Sequence, residues 1–222
     1  MLLTTKFPVL ILDHDDTTVA STPAVNYPSW LEILSKLRPN HHPSYTEFVD
    51  YCFEPGFEPY CREILGFTDA EMAHELAVWQ RFADSVVPDA FDGMRRIIER
   101  QRAAGGIVCV VSHSHERFIT RDWKENFGTL PDKIYSWDMG KEWRKPSVRP
   151  IEDIADTFGF SPSQMLMVDD LRTGYDMARA AGVAFVGALW GQPSEKIRGF
   201  MRKNCKTCFD STAMLEDFLF NE

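Results

Sequence analysis

Short apolar runs separated by helical patterns constrain this chain more than any other feature of its sequence. Four runs rich in Val and other apolar residues cover 7–13, 106–112, 165–170 and 183–191, and a shorter one covers 133–137. A continuous apolar run of this length is typical of a strand that is covered on both faces, as in a parallel sheet. Strands that alternate with helices therefore predict an α/β fold in which helices flank a mainly parallel sheet.

The segments between the runs have the periodicity and the ends of helices. Apolar residues recur at helical spacing in 92–106, 150–159 and 176–182, and each of these segments ends in glycine. Glycine is the residue most typical of the position just after a helix, because it adopts the left-handed conformation easily. These three segments are therefore predicted to be the helices that cover the sheet.

Residues 20–88 interrupt the alternation. No strand-like run occurs there, and the sequences SYTE at 44–47 and TDAE at 68–71 are capping boxes that open helices. We therefore predict an all-helical insertion after the first strand. The predicted domains are an α/β core of residues 1–19 and 89–222 and a helical domain of residues 20–88.

Composition and charge disfavour several classes of protein. The 222 residues are 44% hydrophobic, which is enough for a sizeable core, and carry 24 basic against 33 acidic side chains. The resulting net charge of −9 disfavours nucleic acid and anionic membranes as partners. The apolar runs are far shorter than a membrane span, and the N-terminus lacks the pattern of a signal peptide.

The five cysteines are scattered and odd in number, unlike a disulfide framework. Cys205 and Cys208 have the spacing of a metal or redox pair, but no second pair or nearby His completes a zinc site. We interpret them as ordinary thiols and predict a cytoplasmic protein.

Polar side chains follow the ends of the predicted strands. In an open parallel sheet, ligands bind at the carboxyl ends of the strands, so these side chains are expected to converge. They comprise four carboxylates and one hydroxyl: Asp13, Asp15, Asp169, Asp170 and Ser112. Lys145, which stands between the third and fourth strands just before a predicted helix, is expected to join them.

Each residue type in this set has a chemical use. Carboxylates grouped around one point need a hard cation, and Mg²⁺ prefers such oxygen ligands. A lysine and a hydroxyl beside the cation form a site for phosphate. One aspartate can attack phosphorus, and a second can exchange a proton with the leaving oxygen and then with water.

Taken together, these residues resemble the haloacid dehalogenase superfamily, whose members are mostly phosphatases. The first motif of that family, a strand followed by Asp-x-Asp-x-Thr, reads DHDDT at 13–17. The second, a strand ending in Ser or Thr, is Ser112, and the third is KPSVRP at 145–150. The fourth, an acidic pair after a strand, is 169–170, so all four motifs occur in order.

The resemblance implies a Rossmann-like core with a helical cap at 20–88, and it implies roles for the aspartates. Asp13 is expected to be the nucleophile and Asp15 the general acid and base. Mg²⁺ is expected to be held by Asp13, the backbone carbonyl of Asp15 and Asp170, with Asp169 either a further ligand or directly behind the ligands.

The phosphate is expected to be bound by Thr17, Ser112 and Lys145. We add His113, which follows Ser112 at the edge of the crevice, although a solvated or helix-start histidine is the simpler interpretation. For substrate selection we name Tyr60 and Arg62, which lie between two capped helices. Trp30, Trp79 and Phe82 are interpreted as the apolar core of the insertion.

Two positions depart from the family pattern. Asp16 stands where the family usually has Gly, so it either alters the turn or adds a carboxylate that points at solvent. Gly174 stands where many members carry another acidic residue. Asp169 and Asp170 would then be the only metal-binding side chains that follow the fourth strand.

The function predicted from these residues is a Mg²⁺-dependent phosphatase that acts on a small phosphate monoester. Asp15 argues against a dehalogenase, and Lys36, the one lysine of the insertion, is a weak candidate for phosphonate hydrolysis. A sugar-phosphate mutase stays open, although the acidic insertion offers few cations for a second phosphate. A non-catalytic, regulatory phosphate-binding protein is the other alternative. The sequence leaves the oligomeric state open.

Overall fold

A six-stranded parallel sheet forms the centre of the computed structural model, which describes residues 4–221. The strands are β1 (Val9–Leu12), β2 (Ile107–Val111), β3 (Lys133–Tyr135), β4 (Met165–Asp169), β5 (Ala184–Ala188) and β6 (Cys208–Phe209). Their order in the sheet is β3-β2-β1-β4-β5-β6, with parallel pairing throughout. The predicted α/β fold is confirmed, and β6 is a strand that the sequence did not predict.

The central position of β1 decides where the polar strand ends meet. Leu12 of β1 pairs with Val110 of β2 on one side and with Val168 of β4 on the other. The three carboxyl ends therefore lie side by side, because pairing in register brings the next residues of each strand to the same edge. The switch in strand order beside β1 leaves a crevice there.

Helices cover both faces of the sheet. Those of the core are α5 (Met94–Ala103), α6 (Glu116–Phe127), α7 (Arg149–Phe158), α8 (Arg172–Ala181), α9 (Glu195–Asn204) and α10 (Thr212–Phe220). Two of the predicted glycine stops, Gly159 after α7 and Gly182 after α8, adopt the left-handed conformation with φ of 72°. Leu10 and Leu12 pack under α5, and Val9 and Ile11 pack on the opposite face with α7 and α8. The alternation of one strand thus supplies two separate apolar cores.

Between β1 and α5 the regular elements are helices, apart from isolated bridges that pair Val19 with Asp15 and Ala90. This segment contains α1 (Tyr27–Leu37), α2 (Tyr45–Tyr51), the single turn α3 (Phe57–Pro59) and α4 (Asp69–Ser85), with π-helical turns at Thr22–Asn26, Cys52–Gly56 and Tyr60–Ile64. Both predicted capping boxes form, with Ser44 and Thr68 as the N-cap residues of α2 and α4. Trp30 is buried in an aromatic cluster that also contacts Leu189 and Ile197 of the core. The division of the chain into domains at residues 19 and 88 stays a prediction.

All five cysteines are free. Cys208 in β6 packs so closely on Gly187 of β5 that a Cβ at position 187 would lie 2.9 Å from the Cys208 sulfur. Within residues 4–221, no helix combines the length and the apolar character needed to cross a membrane.

The last helix, α10, is joined to α5 by a partly buried ion cluster. Glu216 of α10 accepts hydrogen bonds from Arg96 and Arg100 of α5, and these bonds hold the pKa of Glu216 at about 2, against a penalty from burial. A lowered pKa means that the carboxylate stabilises the fold at neutral pH and loses this effect as pH falls from about 4.5 to about 2.

We therefore expect Glu216→Gln to lower the free energy of unfolding by about 1–3 kcal/mol at neutral pH. Urea unfolding of both proteins at several pH values measures this difference. The difference should shrink as pH falls below the unfolded-state pKa. A difference that does not depend on pH would show that the loss comes from packing and not from the charge.

Candidate active site

The turn that follows β1 places the first aspartates at the edge of the sheet. The backbone N–H of Asp13 donates to the Val168 carbonyl at 2.9 Å, which continues the pairing of β1 with β4. The Thr18 hydroxyl donates to the Asp13 carbonyl at 2.6 Å, and the N–H groups of Thr18 and Val19 both donate to the His14 carbonyl at 3.0 Å. These bonds close the turn and hold the Asp13 side chain, which is 4% exposed, at the centre of the crevice.

Asp16, which stands where the family usually has glycine, adopts a glycine-like backbone conformation. It is the single non-glycine residue with a positive φ, 55°, within residues 4–221. Asp tolerates this conformation better than most residues. Its Oδ1 accepts a hydrogen bond from the Thr22 N–H at 3.0 Å, and burial raises the pKa of Asp16 to about 7. Asp16 therefore keeps the turn that a glycine would make and binds backbone instead of pointing at solvent.

Lys145 joins two strand ends. Its Nζ donates to Asp13 Oδ1 and to Asp169 Oδ2, each at 2.6 Å, and the lysine is 7% exposed. Burial by itself would lower the pKa of Lys145, but the charges of Asp13 and Asp169 raise it, so the ammonium persists. The same site raises the pKa of Asp13 to about 7, because burial and the neighbouring carboxylates outweigh Lys145.

The second departure from the family pattern has a steric explanation. A Cβ at Gly174 would lie 2.2 Å from Asp169 Oδ2, the oxygen that accepts from Lys145. The other oxygen of Asp169 accepts from the Leu171 N–H at 2.8 Å. Both oxygens of Asp169 are thus engaged, and Gly174 leaves the space that this arrangement needs.

Three buried carboxylates form a group that fits a hard cation. Oxygens of Asp13, Asp169 and Asp170 all lie within 4.8 Å of one another. Asp170 Oδ2 accepts from Gln192 at 3.1 Å, but its Oδ1 is buried and has no hydrogen-bond partner among residues 4–221. Burial and the neighbouring carboxylates raise the pKa of Asp170, so one lysine does not neutralise the group. Since oxygen-only ligands with excess negative charge suit Mg²⁺, the site fits that ion, and Asp170 offers the free oxygen.

Asp15 is held differently from Asp13. Its Oδ2 accepts from the hydroxyls of Ser114 at 2.6 Å and Ser112 at 3.3 Å. Burial would raise the pKa of Asp15, but protonated His14 and the hydroxyl donors lower it below its usual value. The Asp15 side chain is therefore ionised in the free protein and can accept a proton.

The predicted phosphate-binding residues do not all reach the crevice. Lys145 and His113 line it, and Ser112 lies behind Asp15. His113 shares a hydrogen bond of 3.1 Å with the Lys145 carbonyl, and burial with the Lys145 charge lowers the pKa of His113 to about 4. Thr17 was predicted to bind phosphate, but it is fully buried and its hydroxyl has no partner among the described residues. It does not face the cavity.

A cavity of about 600 Å³ extends from these aspartates into the helical segment. Its lining there includes Trp30, Phe48, Phe57, Met72, Leu76 and Trp79. Trp79, interpreted as core, packs against the buried cluster of Val25, Ala83 and Phe118 and also borders the cavity. Leu76 on the same face of α4 borders the cavity and is 45% exposed.

Tyr60 and Arg62 lie away from the cavity, contrary to the prediction. Tyr60 is fully buried, stacks on Tyr51 with ring centroids 4.2 Å apart, and shares a 2.6 Å hydrogen bond with His41. Arg62 is 40% exposed and binds acidic side chains on the surface. The connecting segment packs its aromatic ring inward because the helices leave an apolar space there, and its arginine remains in solvent.

Several residues of the site were missed by sequence reasoning. Ser114 lies two residues beyond Ser112, and Gln192 follows β5, so the rule that ligands bind at strand ends would have found both. The buried pair of His14 and Asp122, 3.2 Å apart, joins residues 108 positions apart and has no local signal. Glu75, which also lines the cavity, lies in a helical segment that the sequence assigned to core and surface.

The sequence comparison identifies one family model. Residues 10–188 match the model described as haloacid dehalogenase-like hydrolase. This range contains all four motifs and the helical segment. No curated protein sequence matches the chain significantly.

Solved structures share the whole fold at low identity. A predicted phosphoglycolate phosphatase of Haemophilus somnus has a TM-score of 0.76 at 18% identity, covering 95% of this chain and 97% of its own. A CbbY variant of Rhodobacter sphaeroides in complex with xylulose 1,5-bisphosphate has a TM-score of 0.73 at 15% identity, covering 94% and 96%. A haloacid dehalogenase-like hydrolase of Streptococcus pneumoniae has a TM-score of 0.74 at 12% identity, covering 95% and 97%. At these identities the similarity shows the fold alone.

Proposed function

The chain belongs to the haloacid dehalogenase-like hydrolases, and from the residues of its site we propose that it is a Mg²⁺-dependent phosphatase of small phosphate monoesters. The observation that carries the proposal is the position of Asp13. Its carboxylate borders the cavity, accepts a hydrogen bond from Lys145, and lies within 4.8 Å of Asp170. A nucleophile, a countercharge for phosphate and a cation site thus meet at one point.

The proposed reaction has two displacements at phosphorus. In the first, a carboxylate oxygen of Asp13 attacks phosphorus, the bond to the ester oxygen breaks, and the leaving oxygen takes a proton from Asp15. In the second, water attacks phosphorus and gives a proton to Asp15, and the bond to Asp13 breaks. The products are the alcohol, inorganic phosphate and the original carboxylate.

Asp15 must change its protonation state during this cycle. It is ionised in the free protein, because His14 and the Ser114 hydroxyl lower its pKa. A phosphate dianion that enters beside it would raise its pKa, since a nearby like charge disfavours ionisation. Substrate binding would thereby load the proton that the leaving group needs.

Asp13 and Asp170 would hold Mg²⁺, whose positive charge would offset the repulsion between the negative phosphate and the carboxylates. Lys145 would bind a phosphate oxygen, and Asp169 would position Lys145 through its 2.6 Å hydrogen bond. Ser112 would act through Asp15. We propose that residues 20–88 serve as a cap that closes over the substrate.

The cavity lining favours a hydrolase over a mutase. A mutase must hold a second phosphate, which needs cationic side chains. Among the described residues, Lys145 is the only Lys or Arg that lines the cavity. The regulatory alternative, binding without catalysis, is separated by assay.

The direct test is the release of phosphate from p-nitrophenyl phosphate with and without Mg²⁺, followed by acid quenching during turnover. A covalent phosphate that hydroxylamine removes would identify an acyl phosphate. Binding of phosphate with no turnover of any ester would favour the regulatory alternative instead.

Ser114 provides a test of the role of Asp15. Because its hydroxyl favours the ionised carboxylate, Ser114→Ala should raise the pKa of Asp15. Because Asp15 must be protonated in the first displacement, we expect the alkaline limb of the profile of kcat/KM against pH to move to higher pH. An unchanged alkaline limb would argue against Asp15 as the titrating group. Ser211→Ala, which removes a hydroxyl at the N-cap of α10, is a control that should not move this limb.

A further inference from the structure

The cavity is larger than a phosphate group requires. Its volume of about 600 Å³ is in the range that encloses a small organic molecule. Beyond the carboxylates, aromatic and aliphatic side chains from the helical segment provide most of the lining. The leaving group of the substrate therefore meets a mainly apolar surface.

An anionic leaving group would meet no free lysine or arginine there, and His115, which also lines the cavity, already bonds to Asp138. Lys145 already bonds to Asp13 and Asp169 and is the only lysine or arginine among the described lining residues. The three arginines of the helical segment are used in salt bridges and do not line the cavity: Arg38 with Glu71, Arg62 with Glu58 and Asp69, and Arg81 with Glu32. A buried carboxylate or second phosphate without a partner is costly, so such substrates are disfavoured.

Glu75 faces the cavity without a partner. On α4 it shares a face with Met72, Leu76 and Trp79, which border the same cavity. It is half-buried, and no hydrogen bond or salt bridge joins its carboxylate to another side chain of residues 4–221. Burial, with no opposing positive charge, raises the pKa of Glu75 to about 7.

Each of the other carboxylates at the cavity has at least one hydrogen-bond or salt-bridge partner. Asp16 accepts from the Thr22 N–H, Asp170 accepts from Gln192, and Glu58 binds Arg62. Asp13 and Asp15 accept from Lys145 and Ser114 respectively. Glu75 is thus the one carboxylate among the described lining residues for which neither oxygen has a hydrogen-bond or salt-bridge partner, and a bound molecule is the partner that its position allows.

Building on the phosphatase proposed above, we infer that the leaving group is mainly apolar and carries a protonated amine that Glu75 binds. An ammonium would form a charge-assisted hydrogen bond with Glu75 and would also be attracted by aromatic faces such as that of Trp79. The Trp79 ring is held in place because its Nε1 donates to Asn26 Oδ1 at 2.9 Å. A neutral donor would leave the charge of Glu75 uncompensated, which is why a cation is the better partner.

Three aryl phosphates that differ only at the para position test this inference: 4-(aminomethyl)phenyl, 4-ethylphenyl and 4-(carboxymethyl)phenyl phosphate. We expect Glu75→Gln to lower kcat/KM for the aminomethyl ester by about 10- to 100-fold, the range of a hydrogen bond to a charged group. The ethyl ester should change little, and the carboxymethyl ester should be the poorest substrate of the wild-type protein. Glu63→Gln, which removes an exposed charge of the same segment outside the cavity, should leave the ranking unchanged.

Calorimetric titration with the corresponding phenols separates this inference from the proposed function. If 4-(aminomethyl)phenol binds more strongly than 4-ethylphenol, and if Glu75→Gln loses this difference, the inference is supported. This holds even if no ester is hydrolysed, in which case the phosphatase proposal alone fails. Equal binding of the two phenols, or a uniform change in kcat/KM across the three esters in Glu75→Gln, would overturn the inference while leaving the phosphatase intact.

Discussion

Replacing Asp13 by Asn is expected to reduce turnover of phosphate esters by at least about 10⁴-fold, because the amide cannot attack phosphorus as a carboxylate does. Steady-state release of phosphate in the presence of Mg²⁺ measures this loss. Acid quenching should also find no covalent phosphate on the variant.

The same variant should fold normally. Burial raises the pKa of Asp13 to about 7, so its ionisation opposes folding as pH rises from its unfolded value of 3.8 through 7. Removing that charge should leave the melting temperature unchanged or raise it. Asp16→Asn is the matched control, since it makes the same chemical change three residues away and should keep most of the activity. Substantial turnover by Asp13→Asn would contradict the proposed mechanism.

Mg²⁺ at about 100 times its dissociation constant is expected to raise the melting temperature by about 5–10 °C. The reason is that the folded protein holds Asp13 and Asp170 close together, while the unfolded chain separates them. Asp170→Asn should erase this shift and abolish most activity, because it removes the carboxylate whose Oδ1 has no other described partner.

Without the ion, Asp170→Asn should be the more stable protein. Burial and the charge of Asp169 raise the pKa of Asp170, so ionisation of Asp170 costs stability above its unfolded pKa of 3.8. Scanning fluorimetry of both proteins with MgCl₂, and with NaCl at equal ionic strength, measures both effects. Asp156→Asn, which removes an exposed carboxylate, is the control and should keep the shift. A full shift in Asp170→Asn would show that the ion binds elsewhere.

The strands and the capped helices could be predicted from the sequence because their signals are local. The apolar character of 165–170 requires a strand that is covered on both faces, and Ser44 and Thr68 cap α2 and α4 through bonds to residues three positions away. The parallel sheet followed from the alternation of these elements. Asp13, Ser112 and Asp169 were predictable for the same reason, since each lies at or directly after the end of a strand.

Other features depend on partners that are distant in the chain, and no local pattern encodes them. Lys145 lies 132 residues from Asp13, and only the packed sheet shows that it bonds to both Asp13 and Asp169. Thr17 fits the family motif, yet the turn buries it.

The helical segment shows most clearly which features the sequence determines and which depend on the tertiary structure. An amphipathic helix has an apolar face, but its sequence does not say whether that face meets another helix or a cavity. The sequence determined that α4 exists and where it begins. Only the tertiary structure decided that Glu75 and Trp79 border the cavity while Arg62 lies in solvent, because the direction of a helix face depends on how the surrounding helices pack.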